Sequence, residues 1–314
     1  MKRAALASLL IFSACVAFTP NRAVAQADDF NDGNDLGWTR YDPLGMVGLG
    51  SQATYSFPNG GYRIQPRRDP RIPASAGPAR AGAYFTNQYS DFYMTADIVN
   101  WDESMDQAIG FLARMSQLGL GTTDGYALTY QVPDHDIDIT RFTDEGAVEL
   151  TSIPLSPTDD ITMVPGRSYR YVWIGKGSKF TVRVYELPNV TTPILECTGF
   201  DDRYPSGVCG FLVYDNSGSA AAGVADATFD NYLAQDVEPP RLTITGGSFG
   251  DIFVSWAADT PDEFVLQTTP SLSTTPIVWT SVTEGIVLSE DGTRKVYNDT
   301  SFFGGNKFYR MVRP

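Results

Sequence analysis

Apolar and polar positions alternate with period two along most of this chain. Clear runs are Phe92-Tyr93-Met94-Thr95-Ala96-Asp97-Ile98-Val99, Tyr126-Ala127-Leu128-Thr129-Tyr130-Gln131-Val132 and Phe180-Thr181-Val182-Arg183-Val184-Tyr185. Successive side chains of a strand point to opposite faces, so this period predicts half-buried strands. Tyr62-Arg63-Ile64 and Tyr169-Arg170-Tyr171-Val172-Trp173-Ile174 follow the same rule. Clusters of Gly, Pro, Asn and Asp punctuate the runs as turns, at Pro58-Asn59-Gly60-Gly61, Thr143-Asp144-Glu145-Gly146 and Gly175-Lys176-Gly177-Ser178. Only Asp106 to Leu118 can be read as a helix. A strand through Ile109-Gly110-Phe111-Leu112-Ala113-Arg114 is preferred there, because Gly110 costs a helix about 1 kcal/mol and the run is short. The pattern predicts an all-β chain of many short strands, arranged as a sandwich or barrel.

Pro239-Pro240, behind the acidic Asp236 and Glu238, interrupts this pattern, since neither a helix nor a central strand continues through two prolines. A boundary is expected there, with a larger unit over residues 28–236, a linker at 237–241 and a smaller unit over 242–314. Six strands are predicted in the smaller unit, around Thr243, Val254, Leu266, Thr280, Val296 and Tyr309, which suits a small immunoglobulin- or fibronectin-like sandwich. Its core would rest on Trp256, Leu266, Trp279 and Tyr309. The longest irregular pieces are Arg67 to Gly82 and Met115 to Gly125, where binding residues of a rigid sandwich would be found.

The start of the chain changes the picture of where it works. Lys2 and Arg3 precede an apolar run from Ala4 to Phe18, about 15 residues long and too short for a membrane span of roughly 20. Ala23-Val24-Ala25 and Ala25-Gln26-Ala27 both fit the small-x-small rule of a cleavage site, and a signal peptide over residues 1–27, ending just before Asp28, is expected. An alternative is a lipoprotein-type signal at Phe12-Ser13-Ala14-Cys15, which would acylate Cys15. Removal of the leader leaves 20 basic against 37 acidic residues, a net charge near −17. That surface repels phosphate backbones and anionic lipid, so nucleic acid is excluded as a partner, while neutral glycans, cations and basic surfaces stay open. Cys197 and Cys209 form an even pair in an oxidising compartment and are a disulfide candidate, stabilising by roughly 3 kcal/mol; two unpaired thiols are the alternative.

The opening Asp28-Asp29-Phe30-Asn31-Asp32-Gly33, the middle Gly125-Tyr126-Ala127-Leu128 with Ile137-Asp138-Ile139-Thr140-Arg141, and the closing Ser206-Gly207-Val208-Cys209-Gly210-Phe211 with Ala227-Thr228-Phe229-Asp230-Asn231 resemble laminin-G-like members of the concanavalin A-like lectin/glucanase superfamily. The resemblance covers roughly residues 28–236. It implies a two-sheet antiparallel jelly roll with its first and last strands adjacent, which would bury Phe30 and Phe229 together. The C-terminal unit resembles, more loosely, small β-sandwich tails on exported bacterial proteins.

That superfamily includes glucanases, so catalysis is the first chemistry to weigh. No Glu-x-Asp-x-x-Glu motif, which places two carboxylates about 5 Å apart, occurs. The nearest cluster is Asp134, Asp136 and Asp138, which alternation would project from one strand face as an acid/base pair, a cation site or a solvated edge. His135, the one histidine, lacks a Gly-x-Ser-x-Gly elbow and any second histidine for zinc, and reads as an exposed loop residue. Asp28, Asp29, Asp32, Asp35, Asp226 and Asp230 would converge if the terminal strands pair; Asp28, Asp29 and Asp230 are the candidate ligands of a structural calcium. For sugar recognition, where ring faces stack on C–H surfaces and polar side chains take hydroxyls, the candidates are Trp101, Tyr126, Tyr130, Asp136 and Asp138, with Tyr84 and Tyr89 as further aromatics. The expected function is an exported, noncatalytic carbohydrate- or surface-binding protein. A divergent glycan hydrolase and a structural envelope or matrix component are the alternatives.

Overall fold

The computed structural model describes residues 25–48, 53–67, 77–153, 163–217, 224–247, 251–273, 277–300 and 306–313. It is all-β, as the alternation predicts. The strands are β1 (Gln26–Asp28), β2 (Thr39–Tyr41), β3 (Thr54–Ser56), β4 (Tyr62–Gln65), β5 (Arg80–Tyr89), β6 (Phe92–Trp101), β7 (Gln107–Ser116), β8 (Asp124–Gln131), β9 (Asp136–Thr143), β10 (Gly146–Ile153), β11 (Tyr169–Lys176), β12 (Lys179–Glu186), β13 (Leu195–Phe200), β14 (Gly207–Asp215) and β15 (Ala227–Gln235). Seven more follow: β16 (Thr243–Gly246), β17 (Ile252–Ala257), β18 (Val265–Thr269), β19 (Thr280–Ser281), β20 (Ile286–Leu288), β21 (Arg294–Asp299) and β22 (Phe308–Val312). Phe111 and its neighbours are strand, not helix.

The first fifteen strands make two antiparallel sheets. One runs β13-β12-β11-β6-β15-β4-β3, with β1 added beside β15; the other runs β10-β9-β8-β7-β14-β5-β2. Their inner faces meet in a single aromatic core. Ring centroids cross the interface at 4.3 Å between Phe211 and Phe229, 4.7 Å between Tyr126 and Phe180, and 5.6 Å between Phe111 and Tyr171. The ends of this unit close on each other, because β1 pairs antiparallel with β15 and both Phe30 and Phe229 are fully buried. This is the jelly-roll sandwich that the resemblance implies.

The last seven strands make a four-stranded sheet, β16-β17-β21-β20, and a three-stranded one, β19-β18-β22. They share a separate small core of Val254, Trp256 and Leu266, with Tyr297, Tyr309 and Met311 packed against it. Trp279 departs from expectation: it is half-buried, its ring covered by the Arg310 guanidinium 4.2 Å from the centroid.

The expected disulfide does not form. Cys197 lies on β13 and Cys209 on β14, so they belong to opposite sheets, and both are free and buried. Burial in apolar surroundings pushes both thiols up to about 12. Spacing in sequence is silent about which sheet a strand joins. Cys15 and most of the expected leader lie outside the described residues, but Gln26 and Ala27, placed in the leader by a cut before Asp28, are strand residues of β1. No helix among the described residues is long and apolar enough to cross a membrane.

Candidate functional site

Three aromatic residues expected at a sugar site belong to the interior. Trp101 is 4% exposed and stands edge-on to Tyr169, its indole N–H donating to Glu103. Tyr126 and Tyr130 are fully buried: the Tyr126 hydroxyl donates to Asp201 at 2.7 Å, and that of Tyr130 meets His135 Nδ1 at 2.8 Å. On β8 the inward positions are Tyr126, Leu128 and Tyr130, so alternation had the period right and the choice of face was open. Tyr89 is buried as well, whereas Tyr84 points outward and is partly exposed.

The terminal acids are each engaged by neighbouring donors. Asp28 accepts from the Phe30 amide at 2.9 Å and from the Trp38 indole at 2.8 Å, and Asp29 accepts from the Asn31 amide at 3.2 Å. Asp230 accepts from its neighbour's amide at 2.7 Å. Asp35 is held by Arg40 and Tyr62, and Asp226 by Arg63. Each carboxylate is satisfied locally, and among the described residues no group of three acids, histidines or cysteines is placed to hold a metal.

The β9 acids fare differently. Asp134 sits in the turn that precedes β9 and is exposed, so it does not share the strand face. Asp136 and Asp138 do share it, opposite the core residues Ile137 and Ile139, and both are half-buried. Asp138 accepts from the Gln131 amide at 3.0 Å. Burial, reinforced by the charges of Asp136 and Glu149, pushes its carboxyl up to about 6. Asp136 is shifted in the same direction by burial and by Asp134 and Glu149.

These acids lie on the outward face of the seven-stranded sheet, and the register shows what else does. One row across it reads Tyr41, Gly82, Leu212, Gly110, Thr129, Asp138; the next reads Arg80, Tyr214, Ala108, Gln131, Asp136. The middle of the face carries glycine and alanine. At Gly82 and Gly110 a Cβ would collide with the backbone carbonyls of Phe211 and Leu128 on the neighbouring strands, so no side chain fits. Larger side chains at the ends of the rows therefore stand above a low floor.

At one end this face holds a cavity of about 350 Å³. The buried Leu112, Leu212 and Met115 line it together with the half-buried Tyr214 and the exposed Asp144. Its wall is a polar network reaching across the sheet, for three strands separate β5 from β9. Arg80 on β5 makes a two-pronged pair with Glu145, in the turn between β9 and β10, at 2.9 and 2.6 Å. Tyr41 donates to the same carboxylate at 3.0 Å and meets the Thr123 hydroxyl at 2.9 Å. Burial opposes the charge on Arg80, but the Glu145 carboxylate outweighs it and the guanidinium's pKa rises. Asp144 and Glu145 both adopt left-handed backbone, φ 49° and 60°, the geometry of a tight hairpin turn that glycine and asparagine prefer. Retaining two carboxylates at such positions is the kind of local cost found where side chains are needed.

Sequence reasoning missed this cavity because Tyr41, Arg80, Thr123 and Glu145 are far apart in the chain. One signal was present: Ala108-Ile109-Gly110-Phe111 and Gly210-Phe211 alternate very small with very large residues, the mark of a sheet face with a low floor opposite a packed one.

No family model matches the chain, and no curated protein does. Among solved structures it is similar to the carbohydrate-binding module CBM66 from Bacillus subtilis, at 15% identity over 64% of this chain and 97% of the module, with a TM-score of 0.45. It is also similar to lectin UEA-II complexed with galactose, at 12% identity over 68% of this chain and 98% of the lectin, TM-score 0.44. A third is the exoplasmic/lumenal domain of VIP36 in its Ca2+/Man2-bound form, at 9% identity over 67% and 87%, TM-score 0.46. The assignment of the jelly-roll fold stands on the strand order and register described above.

Proposed function

We propose that this is an exported, noncatalytic glycan-binding protein whose ligand lies on the outward face of the seven-stranded sheet. The observation that carries the reading is the row Tyr214, Ala108, Gln131, Asp136: an aromatic ring beside an apolar cavity, a low gap, then an amide and a carboxylate. Three strand spacings separate its ends, about 14 Å. Sugar C–H faces stack on rings and sugar hydroxyls need hydrogen-bond partners, and the row offers both in that order. Tyr84 and Tyr214, partly exposed at the margins of the outward apolar cluster, are the stacking residues; the small C-terminal sheets, of immunoglobulin- or fibronectin-like kind, act as spacer or attachment module. The test is a glycan array probed with residues 26–314, with calcium and with a chelator. Tyr214→Ala is expected to lower binding to the recognised glycan at least tenfold while the melting temperature holds. Silence of the folded wild-type protein across the array would overturn the reading in favour of a structural envelope component.

A second reading, a glycan hydrolase, is favoured by one observation. Asp138, with a carboxyl raised to about 6 beside the acidic Asp136, has the protonation behaviour of a general acid near neutral pH. Release of reducing sugar by the wild type and its loss in Asp138→Asn would establish it.

A further inference from the structure

Two cleavage sites two residues apart satisfy the small-x-small rule, Ala23-Val24-Ala25 before Gln26 and Ala25-Gln26-Ala27 before Asp28. The fold distinguishes them. An exported chain folds after its leader has gone, so only residues left by the cut can belong to the native structure. β1 consists of Gln26, Ala27 and Asp28, paired in order with Ala234, Leu233 and Tyr232 of β15. Along that edge of β15, β4 pairs with Ala227 to Phe229 and β1 takes over at Tyr232 to Ala234. Tyr232 and Ala234 are buried, and the Tyr89 hydroxyl, itself in the core, ties the two strands by lying 3.1 Å from the Ala234 carbonyl and 3.3 Å from the Gln26 side-chain oxygen. A cut before Asp28 would remove two of the three residues of β1 and strip the paired edge from Leu233 and Ala234, leaving backbone groups beside the core without partners. A cut before Gln26 removes none of it.

We propose that the leader is removed between Ala25 and Gln26, so that the mature protein begins with Gln26 and keeps β1 whole. The inference rests on the leader reading and is independent of what the sheet binds. It carries a chemical corollary, for an N-terminal glutamine can cyclise: its α-amino nitrogen attacks Cδ, the N–Cδ bond forms, the Cδ–Nε2 bond breaks, and ammonia leaves.

The experiment is intact-mass analysis of the full chain, exported with its own leader from a Gram-negative host. The expected mass is that of residues 26–314, with or without the loss of one ammonia. A mass beginning at Asp28, a mass beginning at an acylated Cys15, or an uncleaved chain would each overturn the proposal. Two leader variants sharpen the result: Ala23→Leu alters only the first site and is expected to abolish the cut before Gln26, whereas Ala27→Leu alters only the second and is expected to leave it in place. The opposite pattern sinks the assignment. Chains purified from residue 26 and from residue 28 test the structural reason directly; the shorter is expected to melt about 2–4 °C lower, and equal melting would remove the argument from β1.

Discussion

Asp138 couples the candidate site to pH. Its carboxyl titrates near 6 in the folded protein against 3.8 as the ordinary value, because burial and the charges of Asp136 and Glu149 oppose ionisation. A carboxyl raised on folding binds its proton more tightly in the native state, so it favours folding below about pH 4 and that contribution is lost as pH rises through 6. After allowance for solvent screening the effect is about 1–2 kcal/mol. Urea unfolding followed from pH 4 to pH 7 is therefore expected to show Asp138→Asn with a flatter pH dependence than wild type and greater relative stability at pH 7; parallel curves would refute the assignment. Glu145 stands at the other end of the face with the opposite role. Four donors converge on it, from Arg80, Tyr41 and the Gly121 amide, and Arg80 is only 8% exposed. Glu145→Ala would leave that guanidinium buried without its carboxylate, a change that costs about 3 kcal/mol. Chemical denaturation of Glu145→Ala checks it, and an unchanged midpoint would mean that the pair is replaced by water at no net cost.

At the scale of elements, the period of two was legible almost everywhere. β6, β8, β11, β12 and β17 run where alternation places them, and Gly110 argued correctly against a helix at β7. What alternation leaves undetermined is the sign of the face. Tyr126 and Tyr130 obey the period and point inward, while Ala127, Thr129 and Gln131 face the other way, and a rule that looks for aromatics does not distinguish the two faces. Pairing between strands distant in sequence is the second thing it leaves open. Cys197 and Cys209 are close along the chain and lie on opposite sheets, and the wall of the cavity joins residues 41, 80, 123 and 145 through strand order alone. Local hydrogen bonding is the third. Asp28, Asp29 and Asp230 each accept from a backbone amide one or two positions on, a short-range bond that a reading of acid clusters does not anticipate. The β1–β15 closure was the exception, since the family resemblance supplied a long-range pairing that local pattern cannot.

Across the whole molecule, buried apolar residues fall into clusters that respect the prolines. The aromatic core and the outward apolar cluster draw on residues from Phe30 to Ala234, and the third cluster on residues from Leu242 onward. Among the described residues, Arg313 of the smaller unit pairs with Asp236 of the larger, while Arg183 pairs with Glu238 of the linker and Tyr185 accepts from Arg241 there. The Arg183–Glu238 pair is partly exposed and contributes at most about 1 kcal/mol, and the more buried Arg313–Asp236 pair is offset by its own desolvation, so neither replaces a shared apolar core. Two separately cooperative units are therefore expected, divided at residues 237–241. Calorimetry of the whole mature chain should show two transitions, with the smaller belonging to the C-terminal sheets. Trp256 is the lever that assigns them, being 3% exposed and packed with Val254 and Leu266 in the small core. Trp256→Ala, at about 3–5 kcal/mol, should abolish the smaller transition and leave the larger in place. Loss of both transitions together would mean that the polar bridge couples the units more tightly than its chemistry implies, and would move the boundary away from Pro239-Pro240.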